Sequence, residues 1–168
     1  DGGAYRERLR DLGLTTDGVR VIDDTFTAQA FIITDHDDNQ ITAFHPGAMN
    51  RSHVNRVDDI RDIGLGIVAP DGKEGMQQHA REFAALRIPF IFDPGQGLTL
   101  FNGEELAELI HHASYLTVND YEARLLSERT GWSIGDIADR VDALVVTMGG
   151  EGSVIHADGA TYAIPAVR

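Results

Sequence analysis

The chain holds 168 residues, with 14 Lys and Arg against 27 Asp and Glu, for a formal charge of −13. A domain of this size buries roughly 70% of its unfolded surface, and 42% hydrophobic residues supply a core, which excludes an intrinsically disordered chain. So acidic a surface excludes nucleic acid and anionic membrane as partners held by long-range attraction, and the absence of cysteine excludes a disulfide framework, a thiolate nucleophile and a Cys-based zinc site, in keeping with a reducing, cytoplasmic setting.

No apolar run reaches the roughly 18 residues of a membrane span. Asp1 opens the chain without the basic-then-apolar order of a signal peptide, so the sequence reads as the central piece of a longer one. Arg6 to Leu12 reads as the end of a short helix stopped by Gly13. From Val19 to Phe44 three β-rich stretches follow, VRVI, FTAQAFIIT and QITAF, with a polar turn from Asp35 to Asn39, which predicts a small antiparallel sheet. Alternation puts Phe26, Ala28, Ala30 and Ile32 on one of its faces and Thr27, Gln29, Phe31 and Ile33 on the other, so neither face is fully polar.

After His45-Pro46-Gly47 the rhythm becomes strand, helix, strand, helix. Strands are expected at Gly64–Ala69, Pro89–Phe92, Tyr115–Val118 and Ala143–Thr147. Helices are expected over Gly75–Leu86, over Gly103–His111, from Asn119, and after the cap Ser133. Ser153–His156 and Thr161–Ile164 form a closing hairpin. Strands this apolar, alternating with helices, predict an α/β fold with a parallel sheet covered by helices on both faces, plus the small antiparallel β lid. The domain plan is a helical segment over residues 1–18, a β lid over 19–46 and an α/β core over 47–168.

Ligands of open parallel sheets sit outside the carboxyl ends of the strands. Here those ends carry Pro70-Asp71, Asp93-Pro94-Gly95-Gln96-Gly97, Asn119-Asp120-Tyr121-Glu122 and Met148-Gly149-Gly150-Glu151-Gly152. Asn119 and Glu122, three apart at a helix start, read either as a capping box or as a carboxylate holding the water shell of Mg²⁺. Thr147 with Gly149 and Gly152 reads as a tight turn into the hairpin or as an anion loop of backbone amides with one hydroxyl. Three other patterns carry no site. Asp35-His36-Asp37-Asp38-Asn39 lacks the Gly and Glu of a calcium loop, adjacent His111 and His112 cannot share a metal from one helix face, and Asn50-Arg51-Ser52 is a glycosylation match only.

Taken in order, NQITAFHPGAM over 39–49, Asp93-Pro94-Gly95, Asn119-x-x-Glu122 and Thr147-x-Gly149-x-x-Gly152 resemble the ribokinase-like (PfkB) family of sugar and nucleoside kinases, on its bacterial adenosine-kinase-like branch. The resemblance implies phosphoryl transfer from ATP and Mg²⁺ to an alcohol group of a sugar or nucleoside. It implies that Glu122 organises the metal through water and that Thr147, Gly149, Gly152, Asp93 and Asn119 serve the nucleotide. It also implies that Gln29, Asn39 and Gln40 are the lid residues offered to the substrate. Because neither lid face is fully polar, one is expected to close over the substrate and the other to pair with a second copy as a homodimer, as several members of the family do, the alternative being that it packs on the core of its own chain. The family's Gly-x-Gly-Asp, which supplies the anion hole and the Asp base, does not occur in these residues. The base is therefore expected after Arg168, and the chain alone is expected to be inactive. The competing reading is a non-catalytic nucleoside- or sugar-binding or dimerising module on the same fold.

Overall fold

A computed structural model describes residues 2–37 and 39–167; Asp1, Arg168 and Asp38, which falls in the predicted lid turn, lie outside the described residues. Thirteen helices and strands follow in order among the described residues: α1 (Gly2–Asp11), β1 (Gln29–Thr34), β2 (Gln40–His45), β3 (Gly66–Val68), α2 (Lys73–Leu86), β4 (Phe90–Phe92), α3 (Gly103–His112), β5 (Tyr115–Asn119), α4 (Asp120–Thr130), α5 (Ile134–Ala138), β6 (Ala143–Thr147), β7 (Ser153–Ala157) and β8 (Ala160–Ile164). Short 3₁₀ segments at Gly47–Val54, Val57–Asp59, Gly95–Leu100 and Gly149–Glu151 join them. No helix of the described residues is long and apolar enough to cross a membrane.

The six-stranded sheet runs β3-β4-β5-β6-β7-β8, parallel through β6 and antiparallel in the closing hairpin. Sequential neighbours linked by right-handed crossovers all step the same way across the sheet, which places α2 to α5 on one face. Burial alternates accordingly. Val68, Phe90, Phe92, Leu116, Val118 and Leu144 are buried against Met76, Ala80, Phe83, Leu106, Ile110, Leu126 and Ile137. The expected helical cover is thus met on one face by this chain, whereas Ile67 and Tyr115 on the other face are 62% and 37% exposed.

Local chemistry sets the helix ends. α2 presents Met76, Ala80 and Phe83 at i, i+4 and i+7. Its Phe83 ring lies where a β-carbon on Gly66 would meet it at 2.3 Å, so β3 can approach α2 only as glycine. Three capping boxes open α3, α4 and α5: Asn102 with Glu105, Asn119 with Glu122, and Ser133 with Asp136.

The lid differs from its prediction in one strand. VRVI is not a strand but an irregular segment fastened by side chains. The Arg6 guanidinium donates to the Val19 carbonyl, and Arg20 donates to Asn55 Oδ1 at 2.8 Å and to Asp59 Oδ2 at 2.5 Å. The second stretch begins pairing only at Gln29, because the Phe26 carbonyl accepts instead from the Ala48 amide at 2.8 Å, beside Gly47 in a left-handed conformation (φ 50°). The lid is therefore a two-stranded ribbon with register Gln29↔His45 through Thr34↔Gln40, and all its residues are exposed.

Candidate functional site

A cleft of about 620 Å³ opens between one face of the lid and the carboxyl ends of β3 and β4. The strand period decides which lid side chains enter it. Ala30, Ile32, Gln40, Thr42 and Phe44 share the cleft face, while Gln29, Phe31, Ile33, Ile41 and Ala43 share the outer one. The core side is built by Met49 and Asn50 from the segment after the lid, Asp71 after β3, and Gln96 and Leu100 from the segment after β4. The lining is mainly apolar with a few convergent polar groups, the usual composition of a small-molecule site. Asp71 Oδ1 accepts from the Gly72 amide at 2.8 Å. Close packing shapes the floor: Gly95 adopts φ 44°, and a β-carbon there would meet Pro70 Cγ at 2.6 Å.

Further along the same edge, Asn119 and Thr147 end β5 and β6 as register partners. Strands spaced about 4.8 Å apart put these residues roughly 5–10 Å from the end of β4, so cleft and loop form one continuous rim. Asn119 Oδ1 accepts from the Glu122 amide and Glu122 Oε2 accepts from the Asn119 amide, both at 2.8 Å. The box occupies Oε2 alone, so capping and a role for the remaining oxygen are compatible. In the loop after β6, the amides of Met148, Glu151 and Gly152 are used within the turn itself, and those of Gly149 and Gly150 take no part in these turn bonds. Gly152 has a structural requirement of its own: at φ 100°, a β-carbon would meet the Ile164 carbonyl at 2.0 Å. Asp93, between the two half-sites, has its pKa raised by burial, partly offset by the Gly95 amide. That burial favours a neutral carboxyl when no counter-charge is near.

The structure thus brings Gln40 to the cleft and gathers Asp93, Asn119, Glu122, Thr147, Gly149 and Gly152 along one rim. It does not bring Gln29 to the cleft, since strand parity turns it outward, nor Asn39, whose side-chain amide donates to Asp35 Oδ2 at 3.0 Å and closes the lid turn. Asn50 was legible in sequence only as a glycosylation match. Asp71 and Gln96 lay in strand-end segments that mark the site without assigning it.

The cleft and rim together set a two-stranded lid over the strand ends of an open, mostly parallel sheet with glycine-rich loops. The chain belongs to the pfkB family of carbohydrate kinases, whose model matches residues 1–168. The nucleoside kinase of Methanocaldococcus jannaschii is 30% identical over 164 residues, covering 98% of this chain and 54% of that protein. A structure of Burkholderia thailandensis nucleoside kinase in complex with inosine superposes with a TM-score of 0.96 at 54% identity, covering all of this chain and 55% of that one. The same kinase in complex with ADP-inosine gives 0.94. The chain spans about half the length of the curated relatives it matches.

Proposed function

We propose that this chain supplies the lid and much of the catalytic rim of an ATP-dependent nucleoside kinase, organised as a helical segment over 1–18, a lid over 19–46 and a core over 47–168. The observation that carries the reading is the cleft of about 620 Å³ beneath the lid, in a chain that superposes throughout on an inosine-bound kinase. The nucleoside lies in the cleft, with Gln40, Asn50, Asp71 and Gln96 as hydrogen-bonding partners and Ile32, Phe44 and Leu100 covering its apolar faces. Closure of the lid excludes water from the transferred group.

The nucleotide phosphates lie along the rim, with the Gly149 and Gly150 amides and the Thr147 hydroxyl facing them. The donor set suits Mg²⁺ carried by the nucleotide. Among the described residues no group of three or more His, Cys, Asp or Glu could form a protein cage, and Mg²⁺ prefers one or two carboxylates, phosphate oxygens and retained water. Glu122 would hold the ion through water, with Asp93 at the adjoining strand end. The ion supplies charge neutralisation of the transferred phosphoryl group; the protein's own residues position and orient. The Asp base has no counterpart in the Gly-x-Gly-Asp form within these 168 residues, so on this reading the chain by itself transfers no phosphoryl group.

The outer lid face, where Phe31, Ile33 and Ile41 are 63%, 73% and 75% exposed, pairs with the same face of a second copy. The deciding experiment incubates the intact protein with inosine, ATP and Mg²⁺. Formation of inosine monophosphate with stoichiometric ADP supports the proposal. Inosine binding without transfer supports the binding-module reading instead.

A further inference from the structure

We infer that Arg129 is a positioning residue for the nucleoside cleft, fastening the segment that carries Gln96 and Leu100 to the last turn of α4. The inference rests on the reading of that cleft given above. The segment Gly95–Leu100 is a short 3₁₀ turn, and a helix end of this kind leaves its last carbonyls without intrahelical partners. Its side chains divide by face: Leu98 and the following Phe101 are each 1% exposed and point into the core, while Gln96 and Leu100 line the cleft.

Arg129 meets the carbonyls at this end, of which Leu98 O also accepts the Phe101 amide at 3.4 Å. Its Nη1 donates to Leu98 O at 3.2 Å, to Thr99 O at 3.3 Å and to Phe101 O. Among the described residues no carboxylate lies within salt-bridge distance of it, so the guanidinium is committed to backbone dipoles. A second contact locks the same junction. The Arg129 carbonyl lies so near Gly103 that a β-carbon there would come within 2.0 Å, so the chain after Phe101 runs directly against the α4 backbone.

This geometry ties two half-sites to one rod. α4 has 11 residues, about 16 Å of helix at 1.5 Å per residue. At its start stand Asn119 and Glu122; in its last turn stands Arg129. The core wall of the cleft therefore keeps a fixed distance from the carboxylate on the rim, and alignment of substrate with phosphate is sensitive to displacements of an ångström or less. Loss of the clamp leaves the rim intact and frees the wall.

The test titrates inosine and ATP separately into the intact protein by calorimetry and follows amide hydrogen exchange across residues 96–101. In Arg129→Met, the Kd for inosine should rise about tenfold to a hundredfold while that for ATP is unchanged, and exchange at 96–101 should accelerate. Arg129→Lys, which keeps a cationic donor, should restore most of the inosine affinity. If the Met variant does not fold, Arg129→Gln carries the same comparison. Unchanged inosine affinity with unchanged exchange overturns the inference, as does equal weakening of both ligands with a general loss of thermal stability. A wild type that binds no inosine overturns the nucleoside reading by itself. The exchange comparison would then still decide whether Arg129 holds the wall.

Discussion

The lid and the core solve opposite problems with similar material. In the core, β3 to β6 bury one face beneath four helices, with Phe90, Phe92, Leu116 and Leu144 at most 1% exposed. In the lid, two strands of six residues pair in full register, yet every residue is exposed, including Phe31, Ile32, Ile33, Ile41 and Phe44. An isolated two-stranded ribbon is marginal in water. This one is held by its ladder and by the Ala48 amide on the Phe26 carbonyl. Apolar side chains in the core stabilise the fold, whereas those in the lid are left uncovered by this chain, the condition that the proposed nucleoside on one face and the proposed second lid on the other would relieve.

The largest expected effect falls on the rim that joins these regions. In the intact protein, Glu122→Gln should lower Mg²⁺-dependent turnover about tenfold to a thousandfold, while thermal melting is nearly unchanged because Gln preserves the capping geometry. Wild-type kinetics in that variant would leave Asn119 and Glu122 as a cap only. Next in size is the contrast between core and lid itself. Leu116→Ala should cost about 2–5 kcal/mol in chemical denaturation. Ile32→Ala should cost less than about 0.5 kcal/mol yet weaken inosine binding; equal losses of stability would break the comparison. On the outer lid face, Phe31→Glu should shift the intact protein from dimer toward monomer in analytical ultracentrifugation, and a wild type that is already monomeric ends the lid-pairing proposal.

The smallest effect concerns Asp93. Burial raises its pKa in the folded state, so the folded chain holds that proton more tightly than the unfolded chain, and ionisation of Asp93 subtracts stability as pH rises from the ordinary carboxylate value of 3.8 through the raised one. Asp93→Asn should therefore raise the melting temperature at neutral pH and lose that advantage as pH falls below 3.8. An unchanged melting temperature at neutral pH would mean that burial of this carboxyl costs the free protein nothing.

Much of this was legible because period and punctuation agree in the core. Apolar runs bounded by glycine and by Asn or Ser caps place β3 to β8 and α2 to α5 within a residue or two, and strand-end position alone marks Asp71, Asp93, Asn119 and Thr147. The lid was read less well. VRVI has β-branched residues in alternation but lacks a partner strand, and no local signal reveals that Arg6 and Arg20 hold it in an irregular path instead. Gln29 and Asn39 are polar residues of a lid, yet a one-residue parity step turns the first outward, and an Asp35 carboxylate occupies the second. Asn50 and Arg129 were out of reach because their roles depend on contacts between segments distant in sequence.

Whether the cleft beneath the lid holds the nucleoside is decided by an inosine titration of the isotopically labelled intact protein followed by backbone amide NMR. Perturbations should concentrate at Ile32, Gln40, Thr42, Asn50, Asp71 and Gln96, with Phe31 and Ile33 on the outer lid face little changed. Perturbations confined to the uncovered sheet face around Ile67 and Tyr115, or none at saturating inosine, would contradict that placement.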